Sequence, residues 1–169
     1  MTYEQVRDIL ERIRSFHRRL RDALEEARST SKDERTQFLL EEIRRDEQAM
    51  NLALAKYQRH GVVNVLDTWI QYVPDEDARR LLRETNFNSD MNPDEMFARK
   101  SRIDQALAEL YQRLAEQSSA TQVVELFEGL ARYTAQRLMD EGWNVLDSDS
   151  APPSEPRDSR YSTKGSEPC

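Results

Sequence analysis

The chain has 169 residues and a net charge of −7, with 34% charged and 37% hydrophobic residues and one cysteine, Cys169. That length suits a single domain with a substantial core. The acidic balance disfavours non-specific nucleic-acid binding, and a lone cysteine excludes an internal disulfide framework and a cysteine-based metal site.

No apolar run approaches the roughly eighteen residues needed to span a membrane. The N-terminal MTYEQVRDIL has no signal-peptide pattern, and Glu-Pro-Cys at the other end is not a prenylation box. A soluble, cytoplasmic protein is the expectation. Glycine and proline are scarce, at four and six, which suits long helices with one buried stripe and a solvated back.

The first helix is predicted over 3–28, with Thr2 and Gln5 as a capping box. Its stripe is Val6, Leu10, Ile13, His17, Leu20, Leu24 and Ala27, so His17 is the one non-apolar member. Arginines on the rest of the helix alternate with Asp8, Glu11, Asp22, Glu25 and Glu26. That interleaving reads as ion pairing on a solvated face and not as a nucleic-acid surface.

A turn over 29–34 leads to the second helix, with Ser31 and Glu34 as its capping box and Gly61 as its C-terminal cap. Here Leu40, Ile43, Glu47, Met50, Leu54 and Tyr57 share one face, interrupted only by Glu47. So short a connection predicts an antiparallel hairpin. Folding it about residue 31 brings His17 level with residues 44–47.

Residues 62–92 are a different kind of segment. Val62, Val63, Val65, Leu66, Trp69, Ile70 and Tyr72 predict a short packed helix, ended by Pro74-Asp75. A second short helix is expected over 76–84, then a loop over NFNSDMN. Some thirty residues suffice for a long crossover that lets the second and third long helices run parallel.

The third long helix begins at Asn92-Pro93-Asp94-Glu95 and continues to about residue 117, with Ile103, Leu107, Leu110 and Leu114 as its core, flanked by Asp104 and Tyr111. Ser119 and Gln122 are expected to cap a fourth helix ending near Gly142, with the stripe Val124, Phe127, Leu130/Ala131, Thr134 and Arg137/Leu138. Folding that hairpin about residue 118 sets Asp104 level with residues 132–134. Residues 1–147 are thus read as one all-α domain, an antiparallel four-helix bundle of two hairpins. The Pro/Ser-rich stretch 148–169 is read as a disordered polar tail.

Two hairpins joined by a long crossover, with polar residues at one level of all four helices, resemble the ferritin-like (rubrerythrin-like) superfamily. FHRRLRDALEEA resembles its first hairpin and IDQALAELYQRLAEQSSATQVVELFEGLARY its second. The resemblance covers about residues 3–142 and rests on no unique motif. It implies a di-metal site of iron or manganese, with one carboxylate from each of the first and third helices and a Glu-x-x-His from each of the others. Carried onto this chain, those positions are His17, Glu47 with Met50, Asp104, and Thr134 with Arg137.

Both Glu-x-x-His pairs are broken, and Arg137 puts a permanent cation where a metal would sit. His17, Glu47 and Asp104 keep metal-ligating chemistry. The same residues with Arg137 also suit a mid-bundle polar layer that neutralises itself. His17 reads more readily as a hydrogen-bonded core histidine than as a ligand, and a small helix rotation would set Glu47 or Asp104 at the solvent edge.

The leading expectation is a ferritin-like bundle without a working di-metal centre or bound cofactor. It would be a structural or interaction protein that self-associates as a homo-oligomer. One alternative is an iron- or manganese-dependent oxidoreductase or iron-handling protein using His17, Glu47 and Asp104. Another is an adaptor that docks a protein partner on the 62–73 crossover around Trp69. No catalytic residue is assigned.

Overall fold

In the computed structural model, which describes residues 2–72, 80 and 86–149, helix dominates and a single short strand pair accompanies it. The elements in chain order are β1 (Thr2–Gln5), α1 (Val6–Thr30), α2 (Glu34–His60), α3 (Val63–Leu66), β2 (Trp69–Tyr72), α4 (Pro93–Glu116) and α5 (Thr121–Asp149). Among the described residues the regular structure is all-α apart from the β1–β2 ribbon. No helix among the described residues is long and apolar enough to cross a membrane.

Each long helix buries the stripe its spacing predicts. On α1, Val6, Leu10, Ile13, His17, Leu20, Leu24 and Ala27 are all buried, joined by Ile9 and Phe16. On α2 the buried line runs Leu40, Ile43, Glu47, Met50, Leu54, and on α4 Met96, Lys100, Ile103, Asp104, Leu107, Leu110, Tyr111, Leu114. The first described part of α5 buries Val123, Phe127 and Thr134. Side chains from all four long helices, and Val65 and Leu66 of α3, join one continuous apolar cluster. Each fully buried leucine, isoleucine or phenylalanine contributes about 1.5–3 kcal/mol of transfer free energy.

α1 packs along α2 and α4 along α5 as two hairpins. Gln58, near the end of α2, donates to the Arg7 carbonyl near the start of α1. The loop 117–120 lies beside β1 and β2 at that same end. The C-termini of α2 and α4 therefore share one end of the molecule, and the two helices run in the same sense, as a long connection permits.

Several boundaries differ from expectation. Residues 2–5 form β1 instead of the first turn of a helix, and Gln5 makes no side-chain cap. β1 pairs antiparallel with β2, whose residues were expected in a short packed helix. Their ladder satisfies backbone groups that a frayed helix end would leave to water. The cap of α2 is Asp33, whose carboxylate accepts from the Thr36 N–H. Ser31 instead ends α1, its N–H donating to the Ala27 carbonyl.

α5 begins at Thr121 without the expected Ser119 cap. The Ala120 carbonyl takes its first bonds and Ser118 Oγ accepts from the Ala120 N–H. Its backbone runs past Gly142 to Asp149; a helical glycine costs about 1 kcal/mol against alanine and does not by itself stop a helix. Asn92 with Glu95 does form the capping box at α4, and Gly61 does end α2. The second short helix expected over 76–84, except Arg80, and the tail from residue 150 lie outside the described residues.

Candidate functional site

Five polar side chains are sealed in the core at mid-height of the long helices. His17 on α1, Glu47 on α2, Lys100 and Asp104 on α4, and Thr134 on α5 are each 2% exposed or less. Apolar neighbours one turn away seal them: Ile13 and Leu20 about His17, Ile43 and Met50 about Glu47, Met96 and Leu107 about the α4 pair. An isolated buried charge is prohibitively costly, so the charged members persist only as a mutually neutralised set.

Glu47 is the hub. Its Oε2 accepts from His17 Nδ1 at 2.5 Å, so that ring nitrogen carries a proton. Its Oε1 lies 3.1 Å from Lys100 Nζ. The same ammonium donates to Asp104 Oδ2, one turn along α4. Arg137 approaches from the margin: its guanidinium is 3.9 Å from Glu47 Oε1 and 3.4 Å from Asp46 Oδ2, and stands over the Tyr133 ring at 5.8 Å. Arg137 is 13% exposed and bridges the layer to solvent.

Two carboxylates thus face two cations in a water-poor setting, and their acidities diverge. Burial pushes the Glu47 carboxyl up, but Lys100, His17 and Arg137 together outweigh burial and hold it down at about 2. Asp104 goes the other way. Burial raises it, Lys100 only partly offsets that, and the Glu47 charge raises it further. The Tyr111 hydroxyl, fully buried, is pushed well above the usual phenol range by burial and then by Glu47 and Asp104.

The sequence-predicted set is brought together in part. His17 and Glu47 touch, Arg137 reaches Glu47, and Asp104 joins through Lys100. Met50 and Thr134 are buried at the positions where the resemblance places metal ligands. Among the described residues, no group of three or more His, Cys, Asp or Glu side chains is placed to hold a metal ion. Within that same limit, His17 Nε2, Thr134 Oγ1 and the Tyr111 hydroxyl have no hydrogen-bond partner.

Lys100 is the residue the sequence reading missed. Its signal was available: it stands four residues after Met96 and four before Asp104, inside the stripe of α4. A lysine in a charge-rich helix reads by default as solvated, and only its register marks it as buried.

Comparison with protein-family models, with curated proteins and with solved structures finds no match to this chain.

Proposed function

We propose that the four long helices form an antiparallel bundle of two hairpins in the ferritin-like manner. It lacks a working di-metal centre and acts as a structural or interaction protein and not as an enzyme. One observation carries this reading: the Lys100 ammonium lies 3.1 Å from Glu47 and pairs with Asp104. A dication bridging those carboxylates would have to share a low-dielectric site with that ammonium. Arg137 adds a second cation at 3.9 Å.

The residues do not fit the implied iron or manganese pair. Helices α2 and α5 offer Met50, Thr134 and Arg137 where imidazole or carboxylate would be needed, and Lys100 already neutralises the carboxylates. The polar layer is instead read as a registry device that fixes how the two hairpins meet, a role for which buried polar groups are known.

Elemental analysis of the full-length protein, purified and then offered ferrous iron or manganese before desalting, tests the reading. It predicts no stoichiometric metal, and one or two tightly held ions per chain would sink it. The metal-dependent alternative keeps one observation in its favour, the buried Nε2 of His17 without a partner among the described residues. Iron-dependent oxygen or peroxide consumption that disappears in Glu47→Ala would select it.

A further inference from the structure

An exposed aromatic surface lies at the end where α1 begins. The ribbon register sets Tyr3 opposite Gln71 and Gln5 opposite Trp69. Alternate residues of a strand share a face, so Tyr3 and Trp69 are diagonal neighbours on one side of the ribbon. That side is solvent: Tyr3 is 63% exposed and Trp69 61%, while Ile70, pointing the other way, is buried. A groove of about 230 Å³ runs from this aromatic pair to Gln117, Ser118 and Ser119, and among the described residues no charged side chain lines it.

Two aromatic faces beside the Gln117 amide and the Ser118 and Ser119 hydroxyls suit a polyproline II segment. Proline rings pack on the aromatics, and amide and hydroxyl donors reach backbone carbonyls that such a helix leaves unbonded internally. The chain carries such a segment. Residues 151–157 read Ala-Pro-Pro-Ser-Glu-Pro-Arg, with a P-x-x-P spacing from Pro153 to Pro156. Each proline fixes φ near −65°, which lowers the entropy lost on docking.

We propose that this groove binds the 151–157 proline segment of a second copy of the chain. Geometry forbids the same copy. α5 starts beside the groove at Thr121 and runs 29 residues, which carries its end about 42 Å away. The seven residues from 150 to 156 span at most about 25 Å when fully extended. The segment therefore serves a neighbour, and a two-fold pair exchanging segments makes the contact twice. This deepens the interaction half of the function proposed above. It is independent of the polar layer, which elemental analysis tests separately.

The test uses full-length protein with Trp143→Phe, which leaves Trp69 as the sole tryptophan. A second form adds Pro152→Ala, Pro153→Ala and Pro156→Ala, which vacates the groove without touching the helices. Sedimentation should show the first form dimerising with rising concentration and the proline-free form remaining monomeric. A synthetic peptide of residues 149–159, titrated into the proline-free form, should shift Trp69 emission saturably. The same peptide with its three prolines changed to alanine should be at least tenfold weaker.

Identical sedimentation of the two forms, or no emission shift with the proline peptide, overturns the proposal. So does a form that binds an unrelated P-x-x-P peptide equally well while showing no self-association.

Discussion

Glu47 gathers partners from three other helices: His17 from α1, Lys100 from α4 and Arg137 from α5. Because its folded carboxyl titrates at about 2 against 4.5 when unperturbed, the native state holds this proton less readily than the unfolded chain. The stability Glu47 contributes is therefore complete above about pH 4.5 and lost as pH falls toward 2. Urea unfolding between pH 5 and 2.5 should show Glu47→Gln taking up about one proton fewer than wild type on unfolding. An unchanged pH slope would contradict this assignment. Glu41, held at about 2 chiefly by its hydrogen bond to Arg44, supplies a slope that remains in the variant.

Asp104 has the opposite sign. Its carboxyl is raised, so its contribution is present below 3.8 and is lost as pH rises through the raised value. Asp104→Asn should consequently cost less at pH 7 than Glu47→Gln, by about 1 kcal/mol or more in urea unfolding. Equal costs would mean the two carboxyls are not differentiated. At this scale the sequence was legible where a polar residue broke an apolar stripe, as His17 and Glu47 do. It was less legible at Lys100, because a long side chain can bury its ammonium or lift it to solvent from the same position.

The elements show why caps were read unevenly. Asn92 was found because four signals agree there: the N-cap residue, Pro93, Asp94 and the reciprocal Glu95. Around 29–34 several residues can cap, and only the backbone conformation selects Asp33 over Ser31. Asp33→Ala should lower stability by about 1 kcal/mol, whereas Ser119→Ala should be near neutral, as thermal unfolding of the two variants would show.

Gly61 illustrates a different constraint. Its φ is an ordinary −67°, but an added Cβ would lie 2.5 Å from the Tyr57 carbonyl oxygen. Gly61→Ala should cost about 1–3 kcal/mol by forcing the end of α2 apart. The β1–β2 ribbon escaped notice because each strand is four residues long and too short for its period to stand out from a helical pattern.

At the scale of the whole molecule, the two hairpins each close on themselves and meet through the shared apolar cluster and the Glu47 contacts. The hairpins and the long connection were legible because stripes, turns and scarce glycine agree over many residues. How the hairpins face each other was not, since that depends on where single side chains such as Lys100 end up.

Lys100 and Glu47 join the two hairpins through a buried ion pair. A double-mutant cycle with Lys100→Met and Glu47→Gln, read by urea unfolding at pH 7, tests it most directly. Each single change unbalances the buried layer, Glu47→Gln leaving Lys100 to Asp104 and Lys100→Met leaving Glu47 to His17 and Arg137, and should cost about 3–5 kcal/mol. The double variant should cost clearly less than the sum, with a coupling energy of about 2 kcal/mol or more. Additive costs, with no coupling beyond about 0.5 kcal/mol, would contradict the account.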